Sequence, residues 1–333
     1  MSTELEVVTA IRPEELSKRL AKQLGENVKA MQEFVQGLSP ATKMPSEIAT
    51  IKFVRKHTEI PVPDIVAYDA DSDGGVGGEW MVMEYVHGIP LIKAWATTSD
   101  AQRHKIVESV ADVWADLLRL SFNQIGSLQE DGKDDFSVGP MTCLPSNNSR
   151  DITPPDPSHC GPFDSPKDWL LAVAARHLDF SQATVCTAEE RAPIDKVVEE
   201  LLSNPRLEAA AELEISNIAL HHIDMNVSNI LVDHSDPTRI VAVLDWEGAR
   251  TVPLWAIQPH FFAHLEEASD EEVRDLQLLT RRAIGERVPM WLRATGEEGL
   301  SLRHLLRRAE WSPFNFPESD YEYVDQLLQG VIM

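Results

Sequence analysis

The sequence predicts an α+β fold in which a few short strands serve a larger helical body. Three observations lead there. Two apolar, β-prone runs, at residues 65–68 and 80–85, flank a Gly- and Asp-rich stretch as the arms of a hairpin do. Residues 101–120, 167–175, 188–203 and 269–308 instead carry apolar side chains every three to four positions, the spacing of amphipathic helices. Between the helical stretches lie short apolar runs at 215–220, 230–232 and 240–244, separated by polar loops. With 333 residues and 43% hydrophobic content, the chain can build one large or two modest domains around a real core.

Taken in chain order, residues 13–37 read as a helix, with Leu16, Leu20, Leu24, Val28, Met31 and Val35 on one stripe and Pro13, Glu14 and Glu15 in its first turn. A second helix is expected over 46–55, with Ser46 as its N-cap. Residues 58–63 must be extended, because Pro61 and Pro63 restrict themselves and the residues before them. The glycines at 74, 75, 77 and 78 form a hairpin loop; they lack the Gly-x-Gly-x-x-Gly spacing of a phosphate cradle. Over 101–120, Ile106, Val107, Val110, Val113, Trp114, Leu117 and Leu118 mark a long helix. Pro, Gly, Ser, Asn and Asp dominate 132–166, which therefore reads as a long surface loop. Helices resume at 167–175 and 188–203, an exposed helical layer covers 269–308, and Leu327 and Leu328 suggest a last short helix. Trp246, Trp255, Phe261 and Phe262 are expected in the core.

The chemistry concentrates in Leu220-His221-His222-Ile223-Asp224-Met225-Asn226-Val227-Ser228-Asn229, followed by Val243-Leu244-Asp245-Trp246-Glu247. A His-x-Asp-x-x-x-x-Asn loop sets a carboxylate beside an accepting hydroxyl and an amide oxygen, five residues on, at a metal ion. Phosphoryl transfer asks little covalent work of the protein, so alignment and charge neutralisation carry it. Asp224 is the candidate proton acceptor, Asn229 and Asp245 are the candidate Mg²⁺ ligands, and His222 is architectural. Asp and Asn are also common turn formers between apolar runs, so the strands on either side are what raise the signal. A metal-dependent hydrolase built on His221, His222, Asp224, His234 and Asp245 is a weaker alternative, since adjacent histidines on an extended chain point to opposite sides.

From Leu220 to about Trp255 the chain resembles the aminoglycoside phosphotransferase and choline kinase-like family, small-molecule kinases with the protein-kinase fold. Asp245-Trp246-Glu247 stands where protein kinases have Asp-Phe-Gly, and Met225-Asn226 stands where they have a Lys two residues after the catalytic Asp. Ser46-Glu47-Ile48-Ala49-Thr50, Thr58-Glu59-Ile60-Pro61-Val62-Pro63 and Met83-Glu84-Tyr85-Val86-His87-Gly88-Ile89-Pro90-Leu91 resemble fungal-type members and extend the likeness from about residue 40 to beyond 260. The resemblance implies two lobes, residues 1–87 with the β elements and 88–333 mainly helical, and it implies ATP and Mg²⁺. It places Glu47 at the helix Glu position and makes Glu84, Tyr85 and Val86 the hinge that meets adenine. It also implies a strand-borne Lys or Arg paired with Glu47. Only residues 38–46 lie between the first helix and Glu47, too few for three strands, and Lys29 and Lys43 are the nearest cations. A kinase-like protein that binds without transferring phosphate is therefore the second reading.

The charge is 30 basic against 54 acidic residues, a net −24, which argues against nucleic acid or an anionic membrane as partner. Residues 1–46 are balanced at six and six, so the acidic surplus lies beyond them, where a small cationic acceptor would fit, although an acidic surface also serves solubility. Cys143, Cys160 and Cys186 are widely spaced with no Cys-x-x-Cys pair, which points to ordinary thiols. No run of eighteen apolar residues and no basic, apolar leader is present at Met1–Glu6, so a cytoplasmic protein is expected.

Overall fold

A computed structural model of the chain describes residues 43–70, 79–132, 135–142, 156–180, 188–259, 261, 262, 265 and 268–310. The helix expected over 13–37, the glycine loop at 74–78, Cys143, Cys186 and the helix expected around Leu327 lie outside the described residues. The chain is α+β, as its sequence pattern implies, with short two- and three-stranded sheets set against helices.

Helix α1 spans Lys43–His57. Ser46 is not its N-cap, as expected from sequence, but lies inside it, and its carbonyl accepts a hydrogen bond from Thr50 Oγ1 at 2.8 Å. The cause is Pro45, which reads as a breaker but fits a first helical turn, where the missing N–H has no partner to lose. Arg55, in the basic last turn, donates to Val62 O and to the Asp64 carboxylate and so straps the extended proline segment to the helix. Pro61 O accepts from Val243 N at 2.8 Å, which lays that segment along the strand of Val243.

Strands β1 (Ile65–Asp69) and β2 (Trp80–Met83) pair antiparallel, with an irregularity between Ile65 and Ala67. The second arm stops at Met83; Glu84 and Tyr85 lie outside the ladder. β3 (Ile89–Pro90) then pairs with β7 (Ile230–Val232), which pairs with β8 (Ile240–Val243). Gly88 permits this approach: a Cβ there would lie 2.7 Å from Val241 Cγ2 and 3.1 Å from Val232 O.

Past the short helix α2 (Leu91–Trp95), helix α3 covers Asp100–Arg119, within a residue of expectation. Ser99 and Gln102 close a capping box at its start, and the apolar stripe read from the sequence is buried.

The expected loop at 132–166 needs correction, because β4 (Ser127–Glu130) and β5 (Phe136–Gly139) form an antiparallel hairpin that enters it. Four residues per arm, with polar Gln129 and Glu130, give too short a period-two pattern to register beside Gly132 and Pro140. Gly126 and Thr251 exchange backbone hydrogen bonds, tying this hairpin to β9 (Arg250–Pro253), which pairs with β6 (Ile218–His221).

The remaining helices are α4 (Pro166–Phe180), α5 (Ala188–Ser203), α6 (Pro205–Ala209), α7 (Asp270–Arg287), α8 (Pro289–Ala294) and α9 (Glu297–Glu310). Helix α7 lies along α3, and Arg287 reaches Glu108 and Asp112 across the seam. Trp246, Trp255, Phe261 and Phe262 are all buried, as expected. One core runs from Ala49, Ile51 and Val54 of α1 through Trp114 of α3 to Trp291 of α8. No described helix is long and apolar enough to cross a membrane.

Candidate active site

The loop from His222 to Asn229 hangs between the end of β6 and the start of β7, and Asp245 follows the end of β8. Antiparallel pairing of Ile230 with Val243 brings the two ends together. Leu244 then fastens them twice. Its N–H donates to Asn229 O at 2.8 Å, and its carbonyl lies 3.0 Å from His222 Nε2. Val227 O accepts from Ile92 N, which anchors the middle of the loop to α2.

His222 is buried against Trp246, ring centroids 4.6 Å apart. Burial pushes its pKa down to about 4, against the raising effects of the Leu244 carbonyl and the Asp224 charge. A neutral imidazole with Nε2–H donating to Leu244 O satisfies that geometry. Among the described residues no group of three or more His, Cys, Asp or Glu side chains gathers to hold a metal.

Asp224 is exposed, yet its carboxylate is held at both oxygens. Asn226 Nδ2 donates to Oδ1 at 2.9 Å and Asn229 Nδ2 donates to Oδ2 at 3.1 Å. The same two nitrogens also reach Asp224 O, at 3.2 and 2.8 Å. Asn229 thus commits its amide nitrogen to Asp224, and its Oδ1 is the end that remains for a cation. A carboxamide oxygen and the Asp245 carboxylate are hard donors of the kind Mg²⁺ takes, so these residues fit the ion.

Asp245 has φ 61°, and among the described residues it is the one non-glycine with positive φ. Left-handed backbone at a non-glycine is costly and persists where the surroundings enforce it. Leu244, bonded on both sides, and Trp246, whose Nε1 donates to Val243 O at 3.1 Å in the core, enforce it here.

Of the other expected site residues, Glu47 sits half-buried on α1. Glu84 is tied to Asp64 in both directions, its N–H donating to Asp64 O at 2.8 Å and its Oε2 accepting from Asp64 N at 3.3 Å. The Glu84 N–H is therefore already bonded within the chain. Tyr85 is 67% exposed and packs edge-on against His87, ring centroids 5.0 Å apart. Sequence reasoning missed Asn226, noting at 225–226 only the absence of a Lys. An Asn two residues after Asp224 was the available signal.

A sequence profile of the phosphotransferase enzyme family matches residues 33–256. Among curated proteins, a subtelomeric hrmA-associated cluster protein of Aspergillus fumigatus is 26% identical over 269 residues, covering 66% of this chain and 53% of that protein. The altered inheritance of mitochondria protein 9, mitochondrial, of Candida glabrata is 23% identical over 336 residues, covering 73% and 51%. The chain spans about half the length of these relatives. Among solved structures, the streptomycin-ATP-APH(2")-IIa ternary complex superposes with a TM-score of 0.50 at 13% identity, covering 98% of this chain and 97% of that one. That likeness is one of fold.

Proposed function

Because the chain belongs to the phosphotransferase enzyme family, we propose that it transfers the γ-phosphoryl group of ATP to a hydroxyl of a small metabolite, with Mg²⁺. The observation that carries this is the Asp224 carboxylate, pinned at both oxygens, with Asn229 Oδ1 turned from it and Asp245 held in strained backbone at the end of the neighbouring strand. Asn229 and Asp245 would hold the ion, and Mg²⁺ when bound would neutralise charge on the phosphate oxygens. Asp224 orients the acceptor hydroxyl and takes its proton as the oxygen bonds to the γ-phosphorus and the bond to the bridging oxygen breaks, leaving ADP. The backbone of Tyr85 and Val86 would meet adenine, and Glu47 would order the phosphate side from α1. His222 keeps the loop and Asp245 in register through Leu244. The net charge of −24 supports a cationic acceptor, and the neighbouring fold named with streptomycin points the same way.

A second reading, a kinase-like protein that binds without transferring, rests on the sequence expectation that residues 38–46 are too few to carry three strands, one with a basic residue, before Glu47. Thermal shift with ATP, with and without Mg²⁺, and mass spectrometry of amino-alcohols and aminoglycosides after incubation with ATP separate the two. A metal-dependent rise together with a phosphorylated product supports transfer; a rise with every compound unmodified supports the second reading. Neither effect would overturn both.

A further inference from the structure

The phosphotransferase reading leaves Asn226 without a role, although it is among the few polar residues in the core, 8% exposed. Its side chain makes three hydrogen-bond contacts. Nδ2 donates to Asp224 O at 3.2 Å and to Asp224 Oδ1 at 2.9 Å, and Oδ1 accepts from Ser228 N at 2.7 Å. The last contact is an Asx-type turn, which a plain loop former also makes. The first is local as well, since its acceptor is a backbone carbonyl two residues back, but the second is not explained by turn formation, since its acceptor is the carboxylate of the reacting residue.

A carboxylate on an exposed loop turns about its side-chain torsions unless something fixes it, and general-base chemistry requires its free lone pair to face the hydroxyl. One donor on one oxygen would leave rotation about that contact. Donors on both oxygens from two different side chains remove it. We infer that Asn226 is a positioning residue that, opposite Asn229, clamps the Asp224 carboxylate and presents its remaining lone pairs to the acceptor. The inference rests on the phosphotransferase reading for its consequence and on the two Nδ2 contacts for its geometry. It also gives position 226 a neutral donor, in contrast to the cation that protein kinases carry there. The clamp adds no charge beside an acceptor that the acidic chain favours as a cation.

Asn226→Asp separates the clamp from the turn. It keeps the oxygen that accepts from Ser228 N and replaces both N–H donors with an anion facing Asp224. The expected result is a fall in kcat of about 10- to 100-fold, with KM for ATP and for the acceptor within about twofold, because the defect lies in alignment and not in binding. Retention of kcat within about twofold in a folded variant overturns the clamp and leaves Asn226 a turn residue.

A second readout needs no turnover. In ¹⁵N-asparagine-labelled protein, the side-chain amide signals absent from Asn226→Asp belong to Asn226. They should exchange slowly with water and move on Asp224→Ala. Fast-exchanging signals that Asp224→Ala leaves in place would overturn the clamp. Wild-type protein that transfers no phosphate from ATP would defeat the phosphotransferase reading alone, and the amide signals would then decide the geometry.

Discussion

His222 shows how one buried ring links stability to the site. Its pKa falls from 6.5 to about 4 because burial penalises the imidazolium. The unfolded chain therefore takes up this proton first as pH drops. Stability from His222 is fully present above about pH 6.5 and drains as pH falls toward 4, by about 3 kcal/mol at 1.36 kcal/mol per decade. Asp233, held low by Ser235, Asp236 and Arg239, loses its contribution in the same direction but at more acid pH. We expect urea-unfolding free energies to slope downward between pH 6.5 and 4.5 in the wild type. His222→Phe should be less stable at neutral pH, having lost the Leu244 contact, but should show a much shallower slope in that window. Equal slopes in the two proteins would mean that the ring is protonated in the fold, and the strut from Leu244 to the loop would need another account.

Helix α1 is joined to the β4–β5 hairpin by two kinds of contact whose sizes differ. Lys52 Nζ lies 2.7 Å from Glu130 Oε2 and 3.3 Å from Tyr68 OH. Burial works against the ammonium, and the bonds to Glu130 and Tyr68 outweigh it, so the lysine pKa is raised. The pair is partly solvated, with side chains 31% and 24% exposed, and is worth no more than about 1 kcal/mol. Phe53 packs between Phe122 and Phe136, ring centroids 5.5 and 5.4 Å apart, and its loss should cost about 2 kcal/mol for a half-buried ring. Chemical denaturation should therefore rank Phe53→Ala clearly below Lys52→Met; the reverse order would show that the ion pair, not the rings, fixes the Glu47 helix. Neither contact was legible in the sequence, because the hairpin's arms are four residues long and its partner lies some eighty residues away. Helices α3 and α5 were legible almost to the residue, since sixteen to twenty positions of 3.6 periodicity leave little ambiguity. The site divides the same way. The convergence of the Asp224–Asn229 loop with the chain end at Asp245 was legible from spacing between apolar runs, whereas the contact of Asn226 with Asp224 was not, because a loop asparagine is by default a turn former and only its rotamer shows what it holds.

The net charge of −24 acts on all these elements together. Self-repulsion of an acidic chain destabilises its compact state, while exposed ion pairs such as Arg282–Glu286 and Arg293–Glu298 contribute little each and are screened by the same ions. Repulsion should win, so the melting temperature should rise as NaCl increases from about 10 to 150 mM, over which the Debye length shortens from about 30 to 8 Å. Divalent cations would produce such a rise without any specific site, which makes a bare Mg²⁺ effect a poor measure of the proposed centre. The informative quantity is the increment from ATP in the presence of Mg²⁺ at matched ionic strength, since a ligand at 100 times its Kd adds about 2.7 kcal/mol to the folded state. Asp245→Asn removes one of 54 acidic residues and should leave the general salt response in place while abolishing most of that increment. An Asp245→Asn protein that keeps the full ATP increment would show that the nucleotide is held without the proposed metal ligand. Loss of the salt response itself would show instead that the substitution had disturbed the strained turn after β8.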